Sequence, residues 1–254
     1  MHDLSGHTSL ITGGNGGIGL GLAEGILAAG GDVAIAARST AKTEEAAAGL
    51  RARYPDRRIL PLTCDVAQEE DVVTAVKACV AEFGRVDSCF ANAGIGLSVR
   101  NVWEVSAEDW RRVMAVNLDG AFFTLKAAAA HMVERGGGGA LVAVSSTSAI
   151  HGSPSQPHYA TAKTGLLGLV RSFAVGLARY QIRVNALLPG WTATDLLEPA
   201  RANPKFVENT TYRTPVRRWA DPGEFAPVAA YLADPSITFH TGDSVVVDGG
   251  YTVF

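Results

Sequence analysis

A charge excess of either sign is missing from this 254-residue chain. Its 22 lysines and arginines face 25 aspartates and glutamates, for a net of −3. That balance excludes a surface built to coat nucleic-acid phosphates, which needs clustered cations, so no nucleic acid is expected as a partner. Cysteine is scarce. Cys64, Cys79 and Cys89 are odd in number and lack metal-ligand spacing. Neither a disulfide framework nor a metal site is expected, and reduced thiols in a cytoplasmic protein are. No run approaches the roughly 18 apolar residues of a membrane span. Met1–Leu10 lacks the basic start and apolar stretch of a secretory signal. No repeat or linker-like break divides the sequence, so residues 1–254 are expected to form a single domain. Hydrophobic residues make up 47% and charged residues 19%, enough to bury a large core. The surplus is in glycine: 28 residues, against roughly 7% of an average chain.

Short continuous apolar runs alternate with helical stretches from end to end. The runs are Ser9–Thr12, Asp32–Ala37, Ile59–Cys64, Asp87–Ala91, Ala140–Ser145, Arg183–Leu188 and Ser244–Val247. Unbroken apolar runs are the mark of parallel strands buried on both faces. Between them the pattern predicts helices over Gly17–Ala29, Thr40–Tyr54, Gln68–Phe83, Ser106–Arg135, His158–Tyr180 and Pro222–Ala233. Ser106 and Asp109 have capping-box spacing, and Gly136–Gly139 stop the helix they start. The alternation implies an α/β fold: a Rossmann-type doubly wound parallel sheet of about seven strands with helices on both faces. Residues 191–220 break the rhythm with Pro199, Pro204 and Pro215, and are a candidate substrate-binding lid.

The first strand runs into Thr12-Gly-Gly-Asn-Gly-Gly-Ile-Gly19 and then a helix. A tight glycine turn lets backbone N–H groups approach a pyrophosphate, and the helix start adds favourable partial charge. The glycines fit three registers equally, so spacing alone says dinucleotide and no more. Cofactor choice rests on the end of the second strand, where an acidic residue would bind the ribose 2′-hydroxyl of NAD. Here the chain reads Ala36-Ala37-Arg38-Ser39. Arg38 can pair with a 2′-phosphate, so NADP(H) is favoured. The glycine loop carries no second cation, and NAD(H) remains possible.

Tyr159 and Lys163 are four residues apart on a predicted helix, hence on one face. A free phenol titrates near 10, and a neighbouring ammonium is expected to lower it enough for proton exchange with a carbonyl or alcohol. Ser146, at the carboxyl end of the fifth strand, can hydrogen-bond the substrate oxygen, with Ser145 the competing candidate. Asn117 lies mid-helix, an unfavourable place for asparagine that suits a backbone or water partner.

Glycine loop, Ala91-Asn-Ala-Gly94, Asn117, Ser146, Tyr159, Lys163 and Pro189-Gly-Trp-Thr-Ala-Thr194 occur in one order, closing with Val247-Asp-Gly-Gly-Tyr251. The chain resembles a short-chain dehydrogenase/reductase of the core type, along nearly its whole length. The resemblance implies the register through Gly13, Gly17 and Gly19, with Asn15 and Ile18 beside the cofactor. It implies Tyr159 as general acid/base, with Lys163 lowering its pKa and binding the nicotinamide ribose. Ser146 would orient the reacting oxygen, and Asn117 would hold a water linking Lys163 to solvent. Asp65 and Val66 would contact the adenine. Asn92, Ala93 and Gly94 would line the cleft, and Pro189, Gly190 and Thr194 would touch the nicotinamide end. Ala91 departs from the common second asparagine. Members are mostly tetramers or dimers, so a homotetramer or homodimer is expected.

Ser148, His151, Gln156, Trp191 and Leu196 are candidates to face the substrate. The implied reaction interconverts a ketone and a secondary alcohol. A 3-oxoacyl thioester, a sugar or polyol, a steroid-like ring and a small ketone all stay open. An acyl-carrier partner would favour basic surface such as Arg201, Lys205, Arg213, Arg217 and Arg218. The alternatives are an NAD-dependent sugar or polyol dehydrogenase and a cofactor-sensing protein without turnover.

Overall fold

A computed structural model describes residues 2–254. Seven strands form one sheet, all pairs parallel, in the order β3-β2-β1-β4-β5-β6-β7. They are β1 (Thr8–Thr12), β2 (Asp32–Ala37), β3 (Ile59–Thr63), β4 (Ser88–Ala91), β5 (Gly139–Val144), β6 (Ile182–Pro189) and β7 (Ser244–Val247). Their ends lie within two residues of the apolar runs. Successive side chains in the central strands enter opposite layers. Leu10, Ala34, Cys89 and Leu141 join one core; Ile11, Ile35, Phe90 and Val142 join the other. Two-sided burial is why these strands read as continuous apolar runs.

One core is closed by α3 (Glu69–Phe83), α5 (Gly120–Arg135) and α7 (Pro157–Leu177). The other is closed by α1 (Gly17–Ala28), α2 (Thr40–Arg53) and α10 (Ala226–Ala233). The chain leaves β3 at one edge and returns beside β1 as β4, so the strand order reverses between β1 and β4. Open α/β sheets bind ligands at the carboxyl ends of strands at such a reversal.

Three elements differ from the pattern. The helix predicted over Ser106–Arg135 is α4 (Ala107–Met114), a π-helical turn (Ala115–Asp119) and α5. By length and composition this merged run could cross a membrane, yet half of its most apolar stretch is buried inside the fold. Its apolar side is core. A short α6 (Ser148–His151) follows β5. The candidate lid contains α8 (Glu198–Arg201) and α9 (Pro204–Arg213), the latter capped by Asn203, whose Oδ1 accepts from Phe206 N. The lid is pinched at its base: Ala193 N donates to Ala220 O and Ala220 N to Trp191 O, both at 2.9 Å.

Candidate active site

A cavity of about 340 Å³ opens at the carboxyl ends of β1, β4, β5 and β6. A second, of about 230 Å³, lies beyond the glycine loop at the ends of β2 and β3. Gly13, Asn15, Ala93 and Gly94 belong to both walls, so the loop is the saddle between two half-sites.

The saddle has the makings of an anion cradle. Gly13 and Gly17 have φ of +64° and +49°, a turn that side-chain-bearing residues resist. The first turn of α1 has no side-chain cap and no acidic residue, whereas α3 begins with three acidic residues and α4 with two and a Ser106 cap. The free N–H groups and dipole of α1 are therefore left for a ligand. A Cβ on Gly16 would meet nothing in the protein within 4 Å, so the space above the helix start is open. Asn92 anchors the turn through Nδ2, which donates to Thr12 O at 3.0 Å and Gly13 O at 3.1 Å. These features fit a bound dinucleotide.

Most residues expected at the cofactor line one of the two cavities. Ile18, Gly17, Asn92, Pro189, Gly190 and Thr194 line the larger cavity; Arg38, Asp65 and Val66 line the smaller. Gly19 lines neither. A Cβ there would overlap the carbonyl of Gly13, so this glycine serves the close passage of helix over loop. Gly16, on the wall, fits the G-x-G-x-x-G register but not the one the resemblance implies; the direction of its missing side chain distinguishes it from Gly19. Arg38 is exposed and makes no ion pair or hydrogen bond among the described residues, and Asp65 is the only carboxylate on that wall.

On the other side of the saddle, Tyr159 and Lys163 project from α7 into the larger cavity, with Lys163 Nζ 5.6 Å from the phenol ring centroid. Lys163 is buried and its Nζ donates to Val144 O at 2.8 Å. Ser146 lines the same cavity as the phenol, and Ser148 N donates to Ser146 Oγ at 3.1 Å. Ser145 is buried, and its Oγ donates to Lys163 O at 2.8 Å, pinning α7 to β5. Geometry thus separates the two serines.

Asn117 sits in the π-helical turn, buried. Its Oδ1 accepts from Ile95 N and its Nδ2 donates to Ile95 O, both at 2.8 Å. One donor and one acceptor of the side chain form this clamp, which holds the segment after β4. A Cβ on Gly94 would stand 3.4 Å from Asn117 Oδ1 and 3.5 Å from Lys163 Nζ, so the three meet at one point.

The pKa tendencies differ from the sequence expectation. In the chain alone, burial pushes the Tyr159 phenol up, and the Ser146 hydroxyl only partly offsets it. Burial also draws Lys163 down to about 8. The ammonium is near the ring, but desolvation outweighs its pull.

Of the substrate candidates, Ser148, Gln156, Trp191 and Leu196 line the cavity. His151 does not; it is exposed, edge-on to Tyr251 with ring centroids 6.1 Å apart. Ser153, Thr192 and Asp195 are on the wall without having been singled out, being small or polar residues with no spacing to mark them. Trp191 is seated in an aromatic group, stacked on Trp219 at 5.4 Å and edge-on to Phe206 at 5.1 Å. Among the described residues no cluster of three His, Cys, Asp or Glu could hold a metal ion.

A family profile described as Enoyl-(Acyl carrier protein) reductase matches residues 13–252. A 2,5-dichloro-2,5-cyclohexadiene-1,4-diol dehydrogenase of Sphingobium indicum is 37% identical over 99% of both chains. An L-rhamnose 1-dehydrogenase (NAD(P)(+)) of Sphingomonas sp. strain SKA58 is 36% identical over 100% of this chain and 99% of its own. Solved structures agree. A short-chain type dehydrogenase/reductase from Mycobacterium marinum superposes with a TM-score of 0.93 at 33% identity, covering 99% and 98% of the two chains. A gluconate 5-dehydrogenase from Burkholderia cenocepacia J2315, in complex with NADP and tartrate, gives 0.91 at 33% over 99% and 97%. A 3-ketoacyl-(acyl-carrier-protein) reductase from Brucella melitensis, complexed with NADH, gives 0.90 at 31% over 99% and 100%. With sheet, glycine saddle and Tyr159–Lys163 pair in the same chain, this protein belongs to the short-chain dehydrogenase/reductase family and is an NAD(P)-dependent oxidoreductase.

Proposed function

We propose that the enzyme interconverts a ketone and a secondary alcohol, prefers NADP(H), and uses Tyr159 as its general acid/base. The observation that carries this reading is the convergence of the Tyr159 phenol, the Ser146 hydroxyl and the Lys163 ammonium on one cavity wall that continues into the glycine saddle. The nicotinamide cofactor, when bound, supplies or takes up the hydride. Ser146 holds the substrate oxygen against Tyr159 Oη. A phenol raised by burial is protonated at neutral pH, so Tyr159 is ready to donate as a carbonyl becomes an alkoxide. In the oxidative direction Tyr159 accepts that proton, and the Lys163 charge favours the phenolate. Lys163 and Thr194 would hold the nicotinamide end, and the clamp made by Asn117 keeps Gly94 and Lys163 in register.

Arg38 supports the NADP(H) preference: a free guanidinium on the adenosine wall, where NAD-selective sites carry a carboxylate. An NAD-dependent sugar or polyol dehydrogenase is the second reading, favoured by the relative named for L-rhamnose and NAD(P)(+). We further propose that residues 1–254 act as a single domain with 191–220 as its lid. A homotetramer or homodimer is supported by exposed apolar residues, among them Trp103, Phe122, Val175 and Phe239. A cytoplasmic setting suits the three buried thiols. Burial raises all of them, Cys64 to about 11 and Cys79 to about 12, so they resist oxidation.

The test is Tyr159→Phe. It should keep NADPH binding, measured by cofactor fluorescence, and lose about 10²–10⁴-fold in kcat, the usual share of general acid–base catalysis. Unchanged turnover would remove the assignment. Arg38→Ala should lower kcat/KM for NADPH by roughly 10–100-fold, the worth of one charge-assisted phosphate contact, and leave NADH nearly as it was. Equal losses with both cofactors would overturn the preference.

A further inference from the structure

The cavity beyond Tyr159 has two unlike walls. One carries the hydroxyls of Ser148 and Ser153 and the amide of Gln156. Gln156 Nε2 donates to Ser98 Oγ at 3.0 Å, while its Oε1 accepts no hydrogen bond among the described residues. The other wall, brought by the lid, is Trp191, Leu196 and Leu197. Polar groups from one segment and apolar surface from the other therefore share the lining, with Gln156 Oε1 and Leu196 Cδ1 both close to Gly96.

The charges on this wall are as informative. Only Lys163 and Asp195 are charged among its described residues, and Lys163 Nζ is engaged by Val144 O. The lid carries many cations, but they point elsewhere. Arg201 pairs with Glu198 at 3.1 Å and Arg218 with Glu224 at 2.5 Å. Arg213 lies 4.4 Å over the Tyr251 ring and Arg217 4.7 Å over Tyr212. A carboxylate bound in the slot would thus meet Asp195 and no free guanidinium. Asp195 is exposed, and a second anion beside it is disfavoured by like-charge repulsion.

We propose that this site, read as above as a ketone/alcohol oxidoreductase, takes an uncharged ring-bearing secondary alcohol or ketone. Its hydroxyls lie along the edge formed by Ser148, Ser153 and Gln156, and its bare ring face lies against Trp191 and the lid leucines. Asp195 is a specificity residue that turns away substrates bearing a carboxylate.

Three probes test this with the full-length enzyme: cis-cyclohexane-1,2-diol, cyclohexanol and D-gluconate. Calorimetric titration into the NADPH-loaded enzyme reads binding without turnover, and NADP+ reduction reads kcat/KM. The diol should bind and react at least tenfold better than gluconate and at least threefold better than cyclohexanol. Asp195→Asn should raise the gluconate-to-diol ratio of kcat/KM at least fivefold. Gluconate preferred over the diol, or a ratio unmoved by Asp195→Asn, overturns the charge selection while leaving the oxidoreductase reading intact. Cyclohexanol equal to the diol overturns the polar edge. No binding of any probe overturns the substrate class. The oxidoreductase reading itself falls only if a wide panel of ketones also leaves NADPH unconsumed.

Discussion

Burying Lys163 draws its ammonium from the ordinary 10.5 to about 8, a displacement worth on the order of 3 kcal/mol of folding stability. The sign is that of a group whose folded pKa lies below its unfolded one. Between pH 8 and 10.5 the unfolded chain holds more protons, so stability rises with pH. Below pH 8 both states are protonated and the whole cost remains. Lys163→Met should therefore raise stability at pH 7 by about 1–2 kcal/mol, after loss of the bond to Val144 O, or roughly 2–6 °C in Tm. The gap to wild type should narrow in melts run at pH 9 and 10. A variant that melts at or below wild type at pH 7 would contradict this. The meeting of Tyr159, Lys163 and Ser146 on one cavity was legible beforehand, because helical spacing and the carboxyl end of a strand fix it. The direction of the phenol's shift was not, since burial cannot be counted from spacing. His151 illustrates the same limit. It lies near the tyrosine in sequence and outside the cavity in space.

At the scale of elements, the glycine loop separates two uses of the same residue. Gly16→Ala adds a Cβ with no protein neighbour within 4 Å, so thermal stability should stay within about 2 °C while NADPH affinity falls at least tenfold. Gly19→Ala drives a Cβ into the Gly13 carbonyl and should cost about 2 kcal/mol or more before any ligand is added. Thermal melts with and without NADPH, together with binding isotherms, separate the pair; equal melting points would dissolve the distinction. The strands were legible to within two residues because two-sided burial leaves an unbroken apolar run. The π-helical turn at Ala115–Asp119 was not. One extra residue in a turn leaves the composition unchanged, and Asn117 is its only outward sign. The lid helices were hidden because proline at a first helical turn looks like a breaker until Asn203 is seen to cap α9.

On the scale of the whole molecule, large apolar side chains remain in the open. Phe239 is fully exposed, and Val175 and Trp103 are largely so. Subunit contact would bury them. Light scattering should give a dimer or tetramer, and Phe239→Glu should shift the population to a smaller species without lowering monomer helix content. A wild-type monomer at micromolar concentration would refute the assembly.

The segment between Ala193 and Ala220 is drawn together at its base and also strapped to the C-terminal turn, where Val216 N donates to Gly249 O at 3.2 Å and Arg213 covers the Tyr251 ring. A change in that turn is therefore expected to be felt in Trp191, whose ring stands edge-on to Tyr251, and through it at the cavity wall.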